Sequence, residues 1–173
     1  MACALTQNIV NDCLGSVGGT KELYFIEHEN VTAVTEAQGV VTTIAVAAGK
    51  QFRKYELPKE TASWTETLQS NQQNGTQFYQ QVVSFVLNKM EANKRNELML
   101  LAQNTVMCIV RDMNGKYFLV GKENGLNATG GDGGTGTAAG DRNGYTRELT
   151  AQEPQMAPEV SAAIISGLIA PAA

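Results

Sequence analysis

The chain has 173 residues, of which 43% are hydrophobic and 17% charged, and its formal net charge at pH 7 is -4. This length predicts a single domain, residues 1–173, with a hydrophobic core of its own. The acidic balance argues against a dedicated nucleic-acid binder, because such proteins neutralise phosphates with a surplus of lysine and arginine.

The first half of the chain predicts a short helix followed by strands. Ile9, Val10, Cys13 and Leu14 recur at helical spacing, which predicts a helix over residues 6–14. Alternating and β-branched runs then predict strands at 21–27, 31–36, 40–46, 51–57, 63–70 and 76–87. The last two runs flank a polar turn at 71–75, so we expect them to form a hairpin.

The second half predicts one main helix, at about 89–104, followed by strands at 105–111 and 116–121. Asn114-Gly115 between these strands is a strong hairpin signal, because both residues tolerate positive φ. A glycine-rich loop at 125–144 leads to a strand that begins at Tyr145, and a short C-terminal tail covers 160–173. The expected fold class is mostly β, an antiparallel β-sandwich or small β-barrel with one main α-helix.

The cysteines and the two terminal segments indicate in which cellular compartment we expect the protein. Cys3, Cys13 and Cys108 are scattered and form no CxxC pair, so we expect neither a disulfide framework nor a zinc site. Cys108 lies in an alternating run, and we expect it to be a small buried hydrophobic residue rather than a reactive thiol. The N-terminus resembles no signal peptide, and the apolar segment 160–173 is too short to cross a bilayer. We therefore expect a soluble protein without a membrane partner.

No motif predicts catalysis, a cofactor or a metal. The GTGTAA run at 134–139 matches the spacing of a dinucleotide-binding motif. That motif requires a helix after it, whereas turn sequence follows here, so we expect no nucleotide site. Asp132, Asp141 and Glu153 are interpreted as solvated turn carboxylates rather than calcium ligands. The single histidine, His28, has no nucleophile beside it, so we expect an exposed turn there and no enzymatic activity.

The glycine-rich loop is the main candidate for function. Ordering such a segment costs much conformational entropy, and a partner surface would offset that cost. We therefore predict an oligomer interface, with another subunit or ring, at Gly130, Gly131, Gly134, Gly136, Thr137, Gly140, Asp141 and Tyr145. The basic residues Lys50, Arg53 and Lys54 are either a small partner-facing patch or a solvated strand edge.

Two segments of the sequence carry a family resemblance, namely GKENG at 121–125 and GTAAGDRNGYTRELTAQE at 136–153. They resemble structural proteins of tailed phages and prophages, and the nearest named class is the phage tail tube superfamily, which includes type VI secretion tube proteins. The resemblance covers about the last third of the chain. The chain departs from the family in its short tail and in having no obvious extra surface domain.

That resemblance implies a non-enzymatic virion protein whose copies form stacked rings around a channel for DNA. The implied partners are the chain itself and other phage tail or connector proteins, with DNA passing the lumen without specific binding. The implied location is the virion tail, assembled in the cytoplasm of the bacterial host. Alternatives are a head-tail connector or tail-hub ring protein and, in another class, a carbohydrate or cell-surface binding module that uses Trp64, Tyr55 and Tyr79.

Overall fold

The computed structural model describes residue 5, residues 7–10 and residues 13–171. This part of the chain is mostly β, with twelve strands and two α-helices. The strands are β1 (Thr20–Glu27), β2 (Val31–Ala37), β3 (Val40–Val46), β4 (Arg53–Glu56), β5 (Ala62–Asn71), β6 (Thr76–Asn88), β7 (Val106–Asp112), β8 (Tyr117–Val120), β9 (Asn127–Gly130), β10 (Gly133–Gly134), β11 (Gly144–Glu153) and β12 (Glu159–Val160). The helices are α1 (Ala92–Gln103) and α2 (Ala162–Leu168).

The strands form two open sheets. A seven-stranded sheet has the order β2-β3-β12-β8-β7-β1-β4, and every pair in it is antiparallel except β12 with β3. A five-stranded antiparallel sheet has the path β10-β11-β6-β5, and β9 also pairs with β11. Because neither sheet closes on itself, the expectation of a small barrel is wrong.

Two hydrophobic clusters lie on opposite faces of the seven-stranded sheet. The inter-sheet cluster joins this sheet to the five-stranded sheet and to α1, with members such as Leu23, Phe85 and Leu149. The outer cluster lies on the other face and includes Phe52, Ile109 and Ile165 of α2. Alternate residues of β1 enter the two clusters, as the period of two in a strand requires.

The strand predictions are confirmed for all of the main β-runs, including both hairpins. β5 and β6 pair without a break from Asn71 with Thr76 to Ala62 with Phe85. At the Asn114-Gly115 turn, Gly115 has a φ of 83°, and the Asp112 amide donates to the Lys116 carbonyl at 2.9 Å. The expected strand at 51–57 is shorter, because Phe52 bridges to Ile169 instead of continuing β4.

The main predicted helix begins later than expected. Lys89 has a φ of 65°, and the Lys89 and Met90 amides donate to the backbone and side-chain oxygens of Asn143. These contacts hold residues 89–90 outside α1. The predicted helix at 6–14 falls partly on Thr6, Asn11 and Asp12, which lie outside the described residues, and residues 7–10 are not helical.

The C-terminal segment corrects another prediction. Residues 160–171 are not a simple tail, because Val160 lies in β12, which is inserted between β3 and β8. Helix α2 follows and buries Ile165 and Leu168 in the outer cluster. These apolar residues are spaced for one helical face, which explains why the segment packs on the sheet. Ala172 and Ala173 lie outside the described residues.

Among the described residues, no helix has both the length and the apolar character needed to cross a membrane.

Candidate assembly surface

The glycine-rich loop at 125–144 contains two short strands that pair within the chain. β9 and β10 pair with β11, on which Glu148–Thr150 and Gly144–Tyr145 are their respective partners. The expectation of an extended loop is therefore corrected for residues 127–130 and 133–134. Backbone pairing with a long neighbouring strand supplies the hydrogen bonds that compensate for ordering these glycines.

The tip of the loop is a compact turn organised by Asp141. Its carboxylate accepts hydrogen bonds from the Thr137 and Ala138 amides, both at 2.8 Å, and these bonds lower the Asp141 pKa. Gly136 has a φ of 69° and lies so close to Asp141 that a side chain at this position would overlap it. Hydrogen bonds and close packing within one subunit therefore contribute to the order of the tip.

Seven of the eight predicted interface residues are exposed. They are Gly130, Gly131, Gly134, Gly136, Thr137, Gly140 and Asp141. Tyr145 is different, because it is half-buried and packs against the inter-sheet cluster. A Cβ atom on Gly133 would lie 2.8 Å from the Tyr145 ring. The structure therefore gives Tyr145 a role in fixing β10, and it leaves the other seven on an accessible surface.

The three carboxylates that we interpreted as solvated turn residues have different environments. Asp141 and Asp132 are exposed, and Asp132 forms an ion pair with Arg142 at 3.1 Å. Glu153 is 2% exposed, which corrects that interpretation for this residue. Its carboxylate accepts hydrogen bonds from the Glu123, Asn124 and Gly125 amides at 3.0, 2.9 and 3.3 Å.

These contacts give the GKENG segment at 121–125 a structural explanation. Its backbone wraps around the Glu153 carboxylate, and a Cβ at Gly125 would overlap the Thr105 side chain. At the start of the segment, the Gly121 amide donates to Gln81 Oε1 at 2.9 Å. The segment and Glu153 are therefore one internal unit. Sequence spacing could not predict this unit, because residues 121–125 follow β8 whereas Glu153 lies at the end of β11, about thirty positions later in the chain.

Strand β5 is the sheet edge with the least protection against pairing with another chain. It is ten residues long, pairs with β6 in regular register and contains no lysine, arginine or proline. Its second edge pairs with no strand in the part of the chain that the structure describes. Its one acidic residue, Glu66, turns inward and accepts bonds from Gln81 Nε2 and the Ala157 amide at 2.7 and 2.9 Å.

The other edge strands carry features that normally block such pairing. β4 has four residues and includes Arg53 and Lys54. β2 has two irregularities in its register with β3. β9 and β10 have four and two residues. The contrast identifies β5 as the edge most open to strand addition.

The outer face of the five-stranded sheet is polar and almost without charge. Trp64, Val83 and Leu149 point into the inter-sheet cluster, so alternate neighbours point outward. Glu148 is the only charged residue among the outward positions of β5, β6 and β11, which are Ser63, Thr65, Thr67, Gln69, Asn71, Thr76, Phe78, Gln80, Val82, Ser84, Val86, Asn88, Gly144, Thr146, Glu148, Thr150 and Gln152. Lysine and arginine, the usual phosphate contacts, do not occur among these positions.

A cavity of about 200 Å³ lies between α1 and the β1–β4 pair. Its apolar wall includes Phe25, Tyr55 and Leu101, and exposed Leu100 stands at its rim. The charged lining consists of two cations and two carboxylates, which are Lys50, Arg53, Glu27 and Glu97.

The basic patch predicted at Lys50, Arg53 and Lys54 is thus divided by the fold. Lys54 forms ion pairs with Glu22 and Glu56, both at 3.0 Å, whereas Lys50 and Arg53 line the cavity. The sequence did not predict the cavity, because its lining comes from four separate segments.

Two of the three aromatic residues that a binding module would use, Trp64 and Tyr55, pack against other aromatic rings. The Trp64 ring stacks on Phe118, with ring centroids 5.1 Å apart. Tyr55 contacts Phe25 and Phe85 at centroid distances of 5.0 and 5.9 Å. Tyr79 is half-buried. These contacts leave no row of exposed aromatic rings at the three positions named.

The residues considered for acid-base or metal chemistry are dispersed. His28 lies in a 3-10 turn but is half-buried, which corrects the expected exposure, and its Nε2 lies 3.1 Å from the Lys122 carbonyl oxygen. Within the described residues, no three His, Cys, Asp or Glu side chains are grouped as a metal site would need. Cys108 is a buried free thiol, as predicted, and burial raises its pKa.

No protein-family model matches the chain, and comparisons with curated proteins and with solved structures gave no match either.

Proposed function

We propose that the chain is a non-enzymatic structural protein that assembles with itself, as a tail tube subunit of a tailed phage. In this proposal its two sheets form a β-sandwich, and copies join into rings around a channel. The observation that carries the proposal is the β5 edge, because a long, regular edge without lysine or proline is suited to pairing with another copy. The family resemblance supplies the biological setting.

The outer face of the five-stranded sheet supports a channel role. Its outward positions carry one carboxylate and no lysine or arginine, so DNA phosphates would find no cation to bind. The net charge of -4 also disfavours the binding of DNA phosphates to this protein. Seven exposed residues of the glycine-rich loop, Gly130 to Asp141, are then available for contact with an adjacent ring. Assembly would take place in the host cytoplasm, with other tail proteins at the two ends of the tube.

The test is negative-stain electron microscopy of the purified protein over a range of concentrations, combined with light scattering for mass. We expect rings or stacked tubes with a central channel. A homogeneous monomer at every concentration, with or without a nucleating tail extract, would contradict the proposal. A single ring that never stacks would favour the connector or tail-hub alternative.

An edge substitution makes the test specific to β5. Thr67→Lys places a charge on the exposed edge strand, and we expect it to prevent ring formation without unfolding the monomer. The matched control is Thr35→Lys, which introduces the same change at an exposed position of edge strand β2. Rings in both variants would show that β5 is not the joining edge, and circular dichroism would confirm that each variant is folded.

A further inference from the structure

The N-terminal segment before β1 exposes an unusual number of large apolar side chains. Leu5, Ile9 and Leu14 are each at least 100% exposed, Val10 is 79% exposed and Val17 is 59% exposed. We call residues 5–17 the arm. Isolated apolar residues on a surface are common, but five within thirteen positions are typical of a segment that is covered by a partner.

The root of the arm is fixed at one end of the seven-stranded sheet. The Val17 amide donates to Asn114 Oδ1 at 2.9 Å, and Asn114 Nδ2 donates back to the Val17 carbonyl at 2.9 Å. The Met113 amide also donates to the Gly19 carbonyl at 3.1 Å. The arm therefore leaves the domain beside the β7–β8 turn.

The cavity between α1 and the β1–β4 pair lies at the opposite end of the same sheet. It is lined by Ile26, Glu27 and Val106, whereas the arm begins next to Thr20 and Asp112. β1 separates the two ends and has eight residues, which corresponds to roughly 23 Å at about 3.3 Å per residue. An exposed apolar arm at one end and an apolar cavity at the other are complementary between copies that are stacked head to tail.

The charges of the two surfaces also match. The cavity's two cations are balanced by two carboxylates, so it favours an uncharged apolar segment over an anionic ligand. The arm fits this description, because Asp12 is the only charged side chain in residues 1–19. The absence of lysine and arginine from residues 1–19 argues against a membrane surface, to which amphipathic segments usually bind through basic residues.

We propose that the arm of one copy docks in the α1–β1–β4 cavity of a second copy and so links subunits head to tail. This inference rests on the proposed self-assembly and names the contact between successive subunits along the axis. Helical spacing of Leu5, Ile9, Cys13 and Val17 allows the arm to become a helix on docking. As a helix the whole arm, residues 5–17, spans about 18 Å, which is shorter than the roughly 23 Å of β1 that separates its root from the cavity of the same copy.

In the head-to-tail arrangement each copy gives its arm to one neighbour and receives the arm of another, so the contact is heterologous. It therefore generates a series of linked subunits, rather than the symmetric exchange of two arms. Covalently linked species larger than a dimer therefore indicate head-to-tail docking, whereas symmetric exchange would give dimers only.

The test is disulfide trapping in the full chain, using the exposed thiol of Cys13 in the arm. Cys3→Ser removes the thiol that precedes the arm in the sequence, and Cys108 is buried. Leu100→Cys then places a thiol at the cavity rim, where the native side chain is 53% exposed. Under mild oxidation we expect a ladder of dimers, trimers and larger species, with peptides that join Cys13 to the cysteine introduced at position 100.

The matched control is Met99→Cys in the same Cys3→Ser background. Met99 is 44% exposed on the same helix but does not line the cavity, so we expect at least tenfold less of the disulfide-linked species.

A second control changes the arm. Ile9→Asp should reduce the amount of disulfide-linked species from Leu100→Cys at least tenfold, whereas Gln7→Asp should leave it unchanged. Equal ladders from positions 99 and 100, no ladder, or a bond within one chain would each overturn the proposal.

Electron microscopy of the Ile9→Asp variant separates this inference from the proposed function. If normal tubes form, the arm contact is wrong and the tube proposal stands. If the Leu100→Cys ladder forms but no ring or tube is seen for the parental chain, head-to-tail docking stands and the tube proposal is wrong.

Discussion

The Glu153 side chain is buried, and its carboxylate stabilises the interior of the domain instead of forming part of an exposed surface. Its carboxylate accepts hydrogen bonds from three consecutive backbone amides, at residues 123–125. Buried donors that lose a charged acceptor retain their desolvation cost, which makes such a site sensitive to neutral replacement. The residue therefore joins the end of β11 to the segment that follows β8.

We expect Glu153→Gln to reduce the free energy of unfolding by about 2–3 kcal/mol, because the amide has one acceptor oxygen and directs its NH₂ group at an amide donor. Urea denaturation measures the change. The control is Glu123→Gln in the same segment, where the side chain is 56% exposed and a change within about 0.5 kcal/mol is expected. Equal losses in the two variants would show that the buried carboxylate is not the stabilising group.

The ionisation of the Glu22 side chain is expected to make the stability of the protein depend on pH. Burial tends to raise its pKa, but hydrogen bonds from Tyr24, Arg111 and Lys54 outweigh burial and lower the pKa to about 2. Arg111 Nη1 and Lys54 Nζ lie 2.8 and 3.0 Å from its carboxylate oxygens. A carboxylate with a lowered pKa stabilises the fold above its unfolded pKa of about 4.5, and this contribution disappears as the pH falls toward about 2.

The Glu22→Gln variant should therefore be less stable than the parental chain at pH 7 by about 1 kcal/mol, a value that allows for solvent screening of a partly exposed pair. The difference should shrink between pH 4.5 and pH 2 and vanish below that range. Denaturation curves at several pH values measure it. A difference that stays constant down to pH 2 would mean that the ion pairs do not supply the stability.

At the scale of elements, β12 and α2 make the C-terminal segment part of the core. β12 pairs with β3 on one side and with β8 on the other, although it has only two residues. α2 then covers the outer face of the sheet with Ile165 and Leu168. The backbone of Phe52 also exchanges hydrogen bonds with Leu168 and Ala170, at 2.9 and 3.0 Å.

Ile165→Ala is expected to destabilise the protein by about 2–4 kcal/mol, because it removes a buried side chain and leaves a cavity in the outer cluster. The measurement is urea denaturation of the purified variant. Ala163→Ser changes an exposed residue of the same helix and should have an effect within about 0.5 kcal/mol. If the two variants have equal stability, α2 does not contribute to the core.

At the scale of the whole molecule, the shared seven-stranded sheet predicts one cooperative unfolding unit. Leu23 and Phe25 of β1 enter the inter-sheet cluster, and Tyr24 and Ile26 enter the outer cluster. Loss of either cluster therefore exposes side chains of the same strand. The prediction agrees with the single domain expected from the chain length.

Trp64 fluorescence reports on the inter-sheet cluster, and far-ultraviolet circular dichroism reports on the whole chain. At a protein concentration too low for assembly, we expect the two signals to change at the same urea concentration. Ile165→Ala, on the other face of the sheet, should shift both midpoints together. Separate midpoints would mean that the two clusters unfold as independent units.

The sequence by itself determined most of the strands, α1 and the two hairpins, because these depend on local periodicity and on turn residues such as Asn114 and Gly115. It also predicted that Cys108 is buried. These features are encoded within a few neighbouring residues, so no knowledge of distant contacts is needed.

Only the tertiary structure decided how those elements are used. Glu153 became a buried acceptor, β12 and α2 entered the core, and Tyr145 packed inward because each contacts residues that are distant in the chain. The same applies to the cavity beside α1 and to the free edge of β5. Local patterns carry no information about which strands become neighbours, and burial and exposed edges depend on that arrangement.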